Sequence, residues 1–460
     1  MQFNSVLYLV FLVLVVGVFY QLTPRARRWL ILAASYLFYG YWSVPFSGLL
    51  VFSTVLDWAA SLWIQKHDSK FQKRLALMMS LVCNLGLLGL FKYADFFSDS
   101  AYGLFGARPW PHLDLILPLG ISFYTFQTIS YTIDVYRGHL KAKRSIIDVA
   151  MYVSFFPQLV AGPIVRAGEL MSQLECRQSF DWQNIRQGIA QIIWGLVKKV
   201  YFADTCAQVV NVVYGDASNY SGLSLLIATY AFAIQIYCDF SGYCDIAIGS
   251  ARLLGIKLPK NFDAPYLSTS IQEFWRRWHI TLSTWLRDYL YIPLGGSRRG
   301  KIRTYVNLMI TMLLGGLWHG AGWNWVVWGG LQGAVMSIER MLGLGDKRIA
   351  NPIYRVIRWM VTFHIICLSW VLFRTHSLSE AGLVMGRILT MADGQFQIGF
   401  EPVIALAMIL IAQLIKLHEH WAKWFESHPP VARWMTYTAV VFFILTFKRS
   451  MNPEFIYFQF

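Results

Sequence analysis

The sequence predicts an all-α membrane protein that crosses the bilayer many times. Hydrophobic residues make up 56% of the 460 residues and charged residues only 14%, whereas an ordinary soluble domain carries roughly 25% charged residues. The mean hydropathy is also positive, at +0.45. Finally, the apolar residues form stretches long enough to cross the hydrocarbon core of a bilayer as helices. These three observations exclude an ordinary soluble domain.

The apolar stretches give the candidate spans. They cover residues 5–21, 29–44, 46–64, 75–92, 113–133, 146–165, 186–212, 221–254, 304–342, 354–373, 401–417 and 432–447. The stretch at 304–342 is long enough for two passes, while Gly and Pro interrupt several others. We therefore expect about 11–13 transmembrane helices together with interfacial and re-entrant helices. We treat residues 1–460 as one membrane domain.

The net charge of +15 fits a membrane protein without any nucleic-acid partner. Basic residues of multi-pass proteins mark the cytoplasmic side, where they meet anionic lipid head groups. Basic clusters follow the first, third and fifth candidate spans, which places the N-terminus outside and these loops in the cytoplasm. They contain Arg25, Arg27, Arg28, Lys66, Lys70, Lys73, Arg74, Arg137, Lys141, Lys143 and Arg144.

Neither a disulfide framework nor a metal site is predicted. The six cysteines are scattered and form no C-x-x-C pair, which is the spacing that a zinc or redox site would favour. His418 and His420 are two residues apart and would point to different sides of a helix. We expect no metal and no bound prosthetic group.

An amphipathic segment occupies residues 261–300. Ser270, followed by Glu273, predicts the start of a helix with a capping box. One face of that helix carries charged side chains and the other carries aromatic and aliphatic ones, so that it is predicted to lie along the membrane surface. His279 falls at the margin of the apolar face, and Pro293 is predicted to end the helix. The charged face consists of Glu273, Arg276, Arg277, Arg287 and Asp288.

His319 is the strongest candidate for a functional side chain. It lies next to Trp318 within residues 311–330, a stretch without any Asp, Glu, Lys or Arg. An imidazole in such a stretch needs a polar partner or a water-filled cavity. Both His319 and His279 can be read as core histidines satisfied by a carbonyl, or as general bases, because a neutral imidazole can accept a proton from a hydroxyl.

Two further polar features fall inside apolar stretches. Asp239 and Asp245 would face the interior of a helix bundle, since a carboxylate in lipid is costly. Pairing with Arg276, Arg277 or Arg287 and a direct catalytic role are both open alternatives. Residues 155–166 contain Pro157, Gly162 and Pro163, which predict a broken or re-entrant segment that lines a cavity.

Five motifs together resemble the membrane-bound O-acyltransferase family, and most closely its bacterial branch that O-acetylates alginate. They are LPLGISFYTFQTISYTIDVYRG (117–138), FFPQLVAGPIVR (155–166), YCDFSGYCDIAIG (237–249), EFWRRWHITLSTWLRDYLYIPLGG (273–296) and TMLLGGLWHGAGWNWVVWG (311–329). The resemblance extends from about residue 5 to the last residue, with the core motifs in 117–330 and C-terminal helices in 354–447. It implies a ring of tilted helices around a central funnel or tunnel.

The resemblance also implies roles for residues. His319, in the motif WHG, corresponds to the catalytic histidine of the family, and His279, in RWH, to its second histidine. His279, or a backbone N–H near it, would stabilise the oxyanion that forms during acyl transfer. The donor would be a cytoplasmic thioester, acetyl-CoA or an acyl carrier thioester. Arg276, Arg277, Arg298 and Arg299 would attract donor phosphates or simply anchor the protein to the membrane surface. Further donor-binding or tunnel-lining candidates are Asp239, Asp245, Arg287, Asp288 and Trp318.

The acceptor implied by the resemblance is an extracytoplasmic polysaccharide such as alginate, reached through a periplasmic or surface acetyltransferase partner from the bacterial cytoplasmic membrane. Transfer to a lipid, teichoic acid or protein hydroxyl is one alternative, and a solute transporter is another. In the aromatic tail, residues 451–460, Tyr457 is the candidate for a transient acyl relay. The other interpretation of this tail is an aromatic membrane anchor.

Overall fold

A computed structural model describes residues 1–160, 162–176, 178–345, 349–396, 401–415, 427–447 and 455–456. Regular structure in these ranges is helical, which confirms the all-α fold class. The chain forms two compact units, the first made of residues 1–192 with 246–259 and the second of residues 193–245 with 260–460. The single membrane domain over 1–460 stays a prediction.

The described residues of the first unit form eight complete helices, most of a ninth and, from residue 246 to Leu253, the end of a long helix given with the second unit. The first nine are α1 (Val6–Phe19), α2 (Pro24–Gly40), α3 (Val44–Lys66), α4 (Lys70–Leu88), α5 (Ala94–Phe105), α6 (Ile121–Tyr136), α7 (Ile146–Ser154), α8 (Ala167–Glu175) and α9 (Trp182–Leu196), whose residues up to Ile192 belong here. A π-helical turn, Gly89–Tyr93, joins α4 to α5.

Asp57 ties three helices of the first unit together. This carboxylate of α3 is fully buried. It accepts hydrogen bonds from Ser80 and from Asn84 Nδ2 (2.8 Å) of α4, and from Thr132 Oγ1 (2.6 Å) of α6. A buried carboxylate requires such donors, so the packing of α3, α4 and α6 is specified by polar as well as apolar contacts.

The broken segment predicted after residue 154 is confirmed. Helix α7 ends at Ser154, and the described residues of 155–166 form turns and extended chain that are buried almost throughout. Two hydrogen bonds join them to the end of α7, since Gln158 Nε2 donates to Tyr152 O (2.7 Å) and the Tyr152 hydroxyl donates to Val165 O (3.0 Å). Internal pairing of this kind allows a chain without helix to remain away from water.

The second unit begins with the last residues of α9, from Ile193, which continue into a π-helical stretch, Val197–Ala203. Its helices are α10 (Asp204–Gly215), α11 (Gly222–Leu253, up to Asp245), α12 (Ile271–Arg277), α13 (Ile280–Leu286), α14 (Lys301–His319), α15 (Trp323–Met341), α16 (Pro352–Arg374), α17 (Leu378–Leu389), α18 (Glu401–Leu414) and α19 (Pro430–Phe447).

Within the described ranges, four helical stretches are long and apolar enough to cross a membrane. They are Val44–Lys66, Lys70–Phe105, Gly222–Leu253 and Pro352–Arg374, and the shorter helices Val6–Phe19 and Val403–Leu414 are also apolar. A protein with several such helices passes through the bilayer more than once. The multi-pass character is thus confirmed, while the expected number of crossings stays a prediction.

The amphipathic segment departs from the single helix predicted over 270–293. The N-terminal cap is as predicted, because Ser270 Oγ accepts from Glu273 N (3.0 Å). The helix, however, ends at Arg277, and α13 starts only at Ile280. The break lies at His279, whose φ of +43° is in the left-handed region. The helical periodicity was correct on both sides, and a tertiary contact described below overrides it between them.

The stretch 304–342, for which two passes were predicted, forms a hairpin of the helices α14 and α15; that they cross the membrane stays a prediction. Two glycines let these helices touch. A Cβ on Gly316 would lie 2.2 Å from the carbonyl oxygen of Trp325, and one on Gly329 would lie 2.2 Å from that of Met312. Small residues at a contact allow helices in membranes to approach this closely. The contact lies one turn from His319, the last residue of α14.

Candidate active site

His319 lines a cavity of about 330 Å³ in the second unit. The side chain is almost fully buried, with 4% of the residue exposed. Helix α14 ends at His319 because Gly320 follows with extended dihedral angles. The imidazole thus lies at the end of a helix, at the wall of this cavity.

Aromatic rings surround the imidazole of His319. Ring centroids lie 5.0 Å away for Trp318, 5.3 Å for Trp328, 5.3 Å for Phe373 and 6.2 Å for Trp325. Rings in edge and stacked contacts restrict the rotation of a neighbouring side chain. The packing therefore holds the imidazole in one orientation next to the cavity.

The cavity changes from apolar to cationic along its length. Leu282, Leu286 and Met312 lie on its buried wall, whereas exposed arginines lie at its outer part. These arginines are Arg276, Arg287 and Arg340. An apolar interior with a cationic entrance suits a ligand that has a small acyl end and a polyanionic remainder.

Contacts among α12, α15 and α16 fix the wall of the cavity. Glu339 of α15 accepts hydrogen bonds from the backbone N–H of Ile271 (2.7 Å) and of Gln272 (3.2 Å), the first turn of α12. Trp275 Nε1 donates to Gln332 Oε1 (3.3 Å), and Gln332 Nε2 donates to Ser369 Oγ (3.0 Å). Buried polar networks that are satisfied in this way keep a site rigid.

His279 is fully buried, and it does not line the cavity. Asn261 holds the backbone around it, since its carbonyl oxygen accepts from Ile280 N (2.9 Å) and its Oδ1 accepts from Thr281 N (3.1 Å). This capping of α13 is the contact that breaks the predicted helix. Burial lowers the pKa of His279 to about 3, so its imidazole is neutral.

One tryptophan lies next to both histidines. The Trp318 ring centroid is 5.0 Å from that of His319 and 6.1 Å from that of His279. His279 also contacts the ring of Phe240, at 4.7 Å. The two predicted histidines thus belong to one aromatic cluster, although only His319 reaches the cavity.

The structure separates the predicted donor-binding residues. Arg276 and Arg287 line the cavity with His319, and Asp288 pairs with Arg287 at 2.7 Å. Arg277 instead pairs with Glu273 at 2.8 Å and lines a second cavity of about 670 Å³, which Arg276 also reaches. Arg298 and Arg299 are exposed and lie outside both cavity walls.

Asp239 and Asp245 pair with lysines, so the predicted pairing with arginines was wrong. Asp239 Oδ1 lies 2.8 Å from Lys199 Nζ, which is also 3.0 Å from Asp204 Oδ1. Asp245 pairs with Lys198. Neither aspartate lines the cavity of His319. The signal for these partners was present, since two lysines inside the apolar stretch 186–212 require buried anions as much as the aspartates require cations.

Some predicted residues fall outside the described ranges. Tyr457 is one of them, as are His418 and His420. Ile456, the neighbour of Tyr457, is described, and its backbone N–H donates to Asp239 Oδ2 at 2.7 Å.

Among the described residues, several polar side chains around these sites were not singled out from the sequence. They are Lys198, Lys199, Asp204, Asn261, Gln332, Glu339 and Arg340.

The family model of the membrane-bound O-acyltransferases matches residues 137–375 of this chain. The matched range runs from the end of α6 to the end of α16. It contains both histidines, the α14–α15 hairpin and the walls of the cavity.

Relatives with assigned names cover most of the chain. The protein named Probable alginate O-acetylase AlgI of Pseudomonas syringae is 42% identical over 400 residues, which are 86% of this chain and 76% of that protein. Peptidoglycan O-acetyltransferase of Helicobacter pylori is 39% identical over 381 residues, 77% of this chain and 72% of that protein. Teichoic acid D-alanyltransferase of Bacillus subtilis is 25% identical over 291 residues, 58% and 72% of the two chains.

Proposed function

We propose that this chain, which belongs to the membrane-bound O-acyltransferase family, moves acetyl groups from a cytoplasmic thioester toward an extracytoplasmic polysaccharide. That it is an O-acyltransferase follows from the family and its relatives, and this class displaces the alternative of a solute transporter. The donor, the acceptor and the roles of the residues are the proposal. The observation that carries it is His319 at the wall of a cavity with an arginine-rich entrance.

The donor is acetyl-CoA in this proposal, with an acyl carrier thioester as the alternative. Both carry phosphate, and guanidinium groups bind phosphate oxygens in pairs. Arg276, Arg287 and Arg340 therefore hold the anionic part of the donor. The apolar part of the cavity receives the acetyl thioester. The chemistry requires no metal and no bound prosthetic group.

His319 acts as the general base. The neutral imidazole takes the proton of the acceptor hydroxyl while the oxygen attacks the thioester carbonyl carbon. The tetrahedral intermediate then collapses, the C–S bond breaks, and the imidazolium returns the proton to the leaving thiolate. An ester and a free thiol are formed. The aromatic rings around His319 keep the imidazole in line with the cavity.

His279 serves as a positioning residue rather than as an oxyanion donor. Its ring contacts Trp318, which in turn contacts His319, while its backbone joins α12 to α13. Because it does not line the cavity, its effect reaches the substrate through these neighbours.

Two of the relatives support a polysaccharide acceptor, since their names refer to alginate and to peptidoglycan. In this proposal a periplasmic or surface acetyltransferase partner completes the transfer, and the protein resides in the bacterial cytoplasmic membrane. Direct transfer to a lipid, teichoic acid or protein hydroxyl is the competing outcome of the experiment.

The test measures base-labile acetate in separate fractions of cells that express the wild type, His319→Ala or His364→Ala. His364 is an exposed histidine of α16 that bonds to Met360 O and serves as the matched control. We expect acetate on extracellular polysaccharide or peptidoglycan to be lost only in His319→Ala. Full acetylation of these fractions in that variant would contradict the proposal. Loss from the lipid or protein fraction alone would favour the competing acceptors.

A further inference from the structure

The described part of the C-terminal tail, Phe455 and Ile456, is buried inside the second unit. Phe455 and Ile456 are 0% and 2% exposed. The Phe455 ring lies 4.2 Å from that of Tyr243 and 5.9 Å from that of Phe240, both on α11. A tail that merely anchored the protein in lipid would leave these side chains on the surface. The described part of the tail is instead packed like a core element.

The backbone of Ile456 is hydrogen-bonded to a buried carboxylate. Ile456 N–H donates to Asp239 Oδ2 at 2.7 Å, which is the length of a charge-assisted hydrogen bond. The other oxygen of this carboxylate lies 2.8 Å from Lys199 Nζ. Asp239 thus uses one oxygen for the lysine and the other for the tail.

The charges around Asp239 explain why one of its carboxylate oxygens accepts a hydrogen bond from the tail. Lys199 lies between two carboxylates, those of Asp239 at 2.8 Å and Asp204 at 3.0 Å. Two anions and one cation leave an excess of acceptor capacity in a buried place, where an unsatisfied acceptor is costly. The N–H of Ile456 supplies a donor for that excess. We call Lys199, Asp204 and Asp239 the tail receptor.

The docked tail is connected to the histidine cluster through one ring. Phe240 follows Asp239 in α11, and its ring contacts both Phe455 (5.9 Å) and His279 (4.7 Å). Phe240 therefore lies in contact with both the tail and the residue at the α12–α13 break.

We propose that the tail receptor is a docking site for the C-terminal tail of this chain, and that docking at Ile456 holds Phe455 on Phe240 and thereby keeps His279 in place. Asp239 is accordingly a positioning residue that acts through the tail. The receptor recognises a backbone N–H, so that proline at 456, which has none, would abolish the contact.

Two pairs of variants separate docking from general disruption. Asp239→Leu removes the acceptor yet leaves Lys199 paired with Asp204 at 3.0 Å, and Asp245→Leu, on the same helix, breaks the ion pair with Lys198 that does not contact the tail. Ile456→Pro removes the N–H, while Ile456→Val keeps both the N–H and an apolar side chain. Ile456→Pro changes only the tail, so it remains informative where Asp239→Leu fails to fold.

The readout is cleavage by a glutamate-specific endoprotease after residue 454, measured by mass spectrometry on the purified full chain. A protease needs the residues after the cleaved bond in extended, accessible form, and these are Phe455 and Ile456. We expect the wild type, Asp245→Leu and Ile456→Val to resist release of residues 455–460. Asp239→Leu and Ile456→Pro should release them about 10- to 100-fold faster, as the loss of a charge-assisted hydrogen bond implies.

Equal release from the wild type and from folded Ile456→Pro would overturn the docking site. The acyl-transfer rate of Ile456→Pro is a second readout, expected to fall while that of Ile456→Val does not. This second readout rests on the proposed function, whereas the cleavage readout does not, so the two failures can be told apart. Unchanged transfer by an undocked tail would overturn the link to His279.

Discussion

The ring of Trp328 meets the ring of His319 edge-on, with the centroids 5.3 Å apart and the planes at 90°. Both side chains line the same cavity, and Trp328 is 1% exposed. The rings of Trp370 and Phe373 pack against that of Trp328, with centroids 5.7 Å and 5.4 Å away. The orientation of His319 therefore depends on Trp328.

Replacement of Trp328 by Ala should lower the turnover number of acyl transfer by about 10- to 100-fold, since a catalytic group displaced by about 1 Å can cost about 100-fold in rate. Trp328→Phe keeps an aromatic edge and should lose much less. The turnover number of protein that elutes as a single species in detergent is the measurement. Wild-type turnover in Trp328→Ala would show that His319 needs no such support.

Replacement of Arg276, Arg287 or Arg340 by Gln should raise the KM for the thioester donor by roughly tenfold or more, since hydrogen bonds to charged groups are worth about 1.5–3 kcal/mol. The turnover number should change little, because these side chains lie at the entrance of the cavity. Arg277→Gln is the matched control, as Arg277 pairs with Glu273 instead. An equal KM increase in Arg277→Gln would mean that the second cavity takes part in donor binding.

Replacement of Gly316 by Ala should impair both folding and acyl transfer. The added methyl group would lie 2.2 Å from Trp325 O, so α14 and α15 would have to separate next to His319. Gly386→Ala in α17 adds the same atom where nothing lies within 4 Å and should be neutral or slightly stabilising. Thermal stability and transfer rate report the two effects. Normal values for Gly316→Ala would contradict the close helix contact.

The burial of His279 predicts a pH dependence of stability. Its pKa is about 3 in the folded protein and about 6.5 when unfolded. Below pH 6.5 the unfolded chain binds a proton that the folded chain does not, so stability falls with decreasing pH by up to about 1.4 kcal/mol per unit. Replacing His279 by Asn removes this titration, because an amide does not titrate, and Asn tolerates the positive φ at this position.

His279→Asn should therefore lose less thermal stability than the wild type between pH 7.5 and pH 5.5. Melting midpoints in detergent at the two pH values give the comparison. His364→Asn changes an exposed histidine and should behave like the wild type. Parallel decreases in His279→Asn and the wild type would argue against a neutral, buried His279.

Much of the fold was predictable because it depends on local patterns. The apolar stretches gave helices near their predicted positions, including the hairpin of α14 and α15. The cap at Ser270 and the break after Ser154 also follow from nearby residues. His319 was singled out by the absence of other titratable groups around it, and that isolation depends on sequence alone.

The features that were missed depend on contacts between distant segments. The break at His279 results from capping by Asn261, which no helical periodicity contains. Lys199 precedes its partner Asp239 by 40 residues and Lys198 precedes Asp245 by 47, and both lysines are on a helical stretch whose place beside α11 cannot be derived from the sequence. The bond from Ile456 to Asp239 joins residues 217 positions apart. Each required the tertiary fold.

The most direct test of the role of His319 is the rate of coenzyme A thiol release from acetyl-CoA by the protein reconstituted in liposomes with its acceptor. His319→Ala should lower this rate by about 10²- to 10⁴-fold, the usual contribution of a general base, while His364→Ala should keep it. A correctly folded His319→Ala protein that released thiol at the wild-type rate would contradict the account.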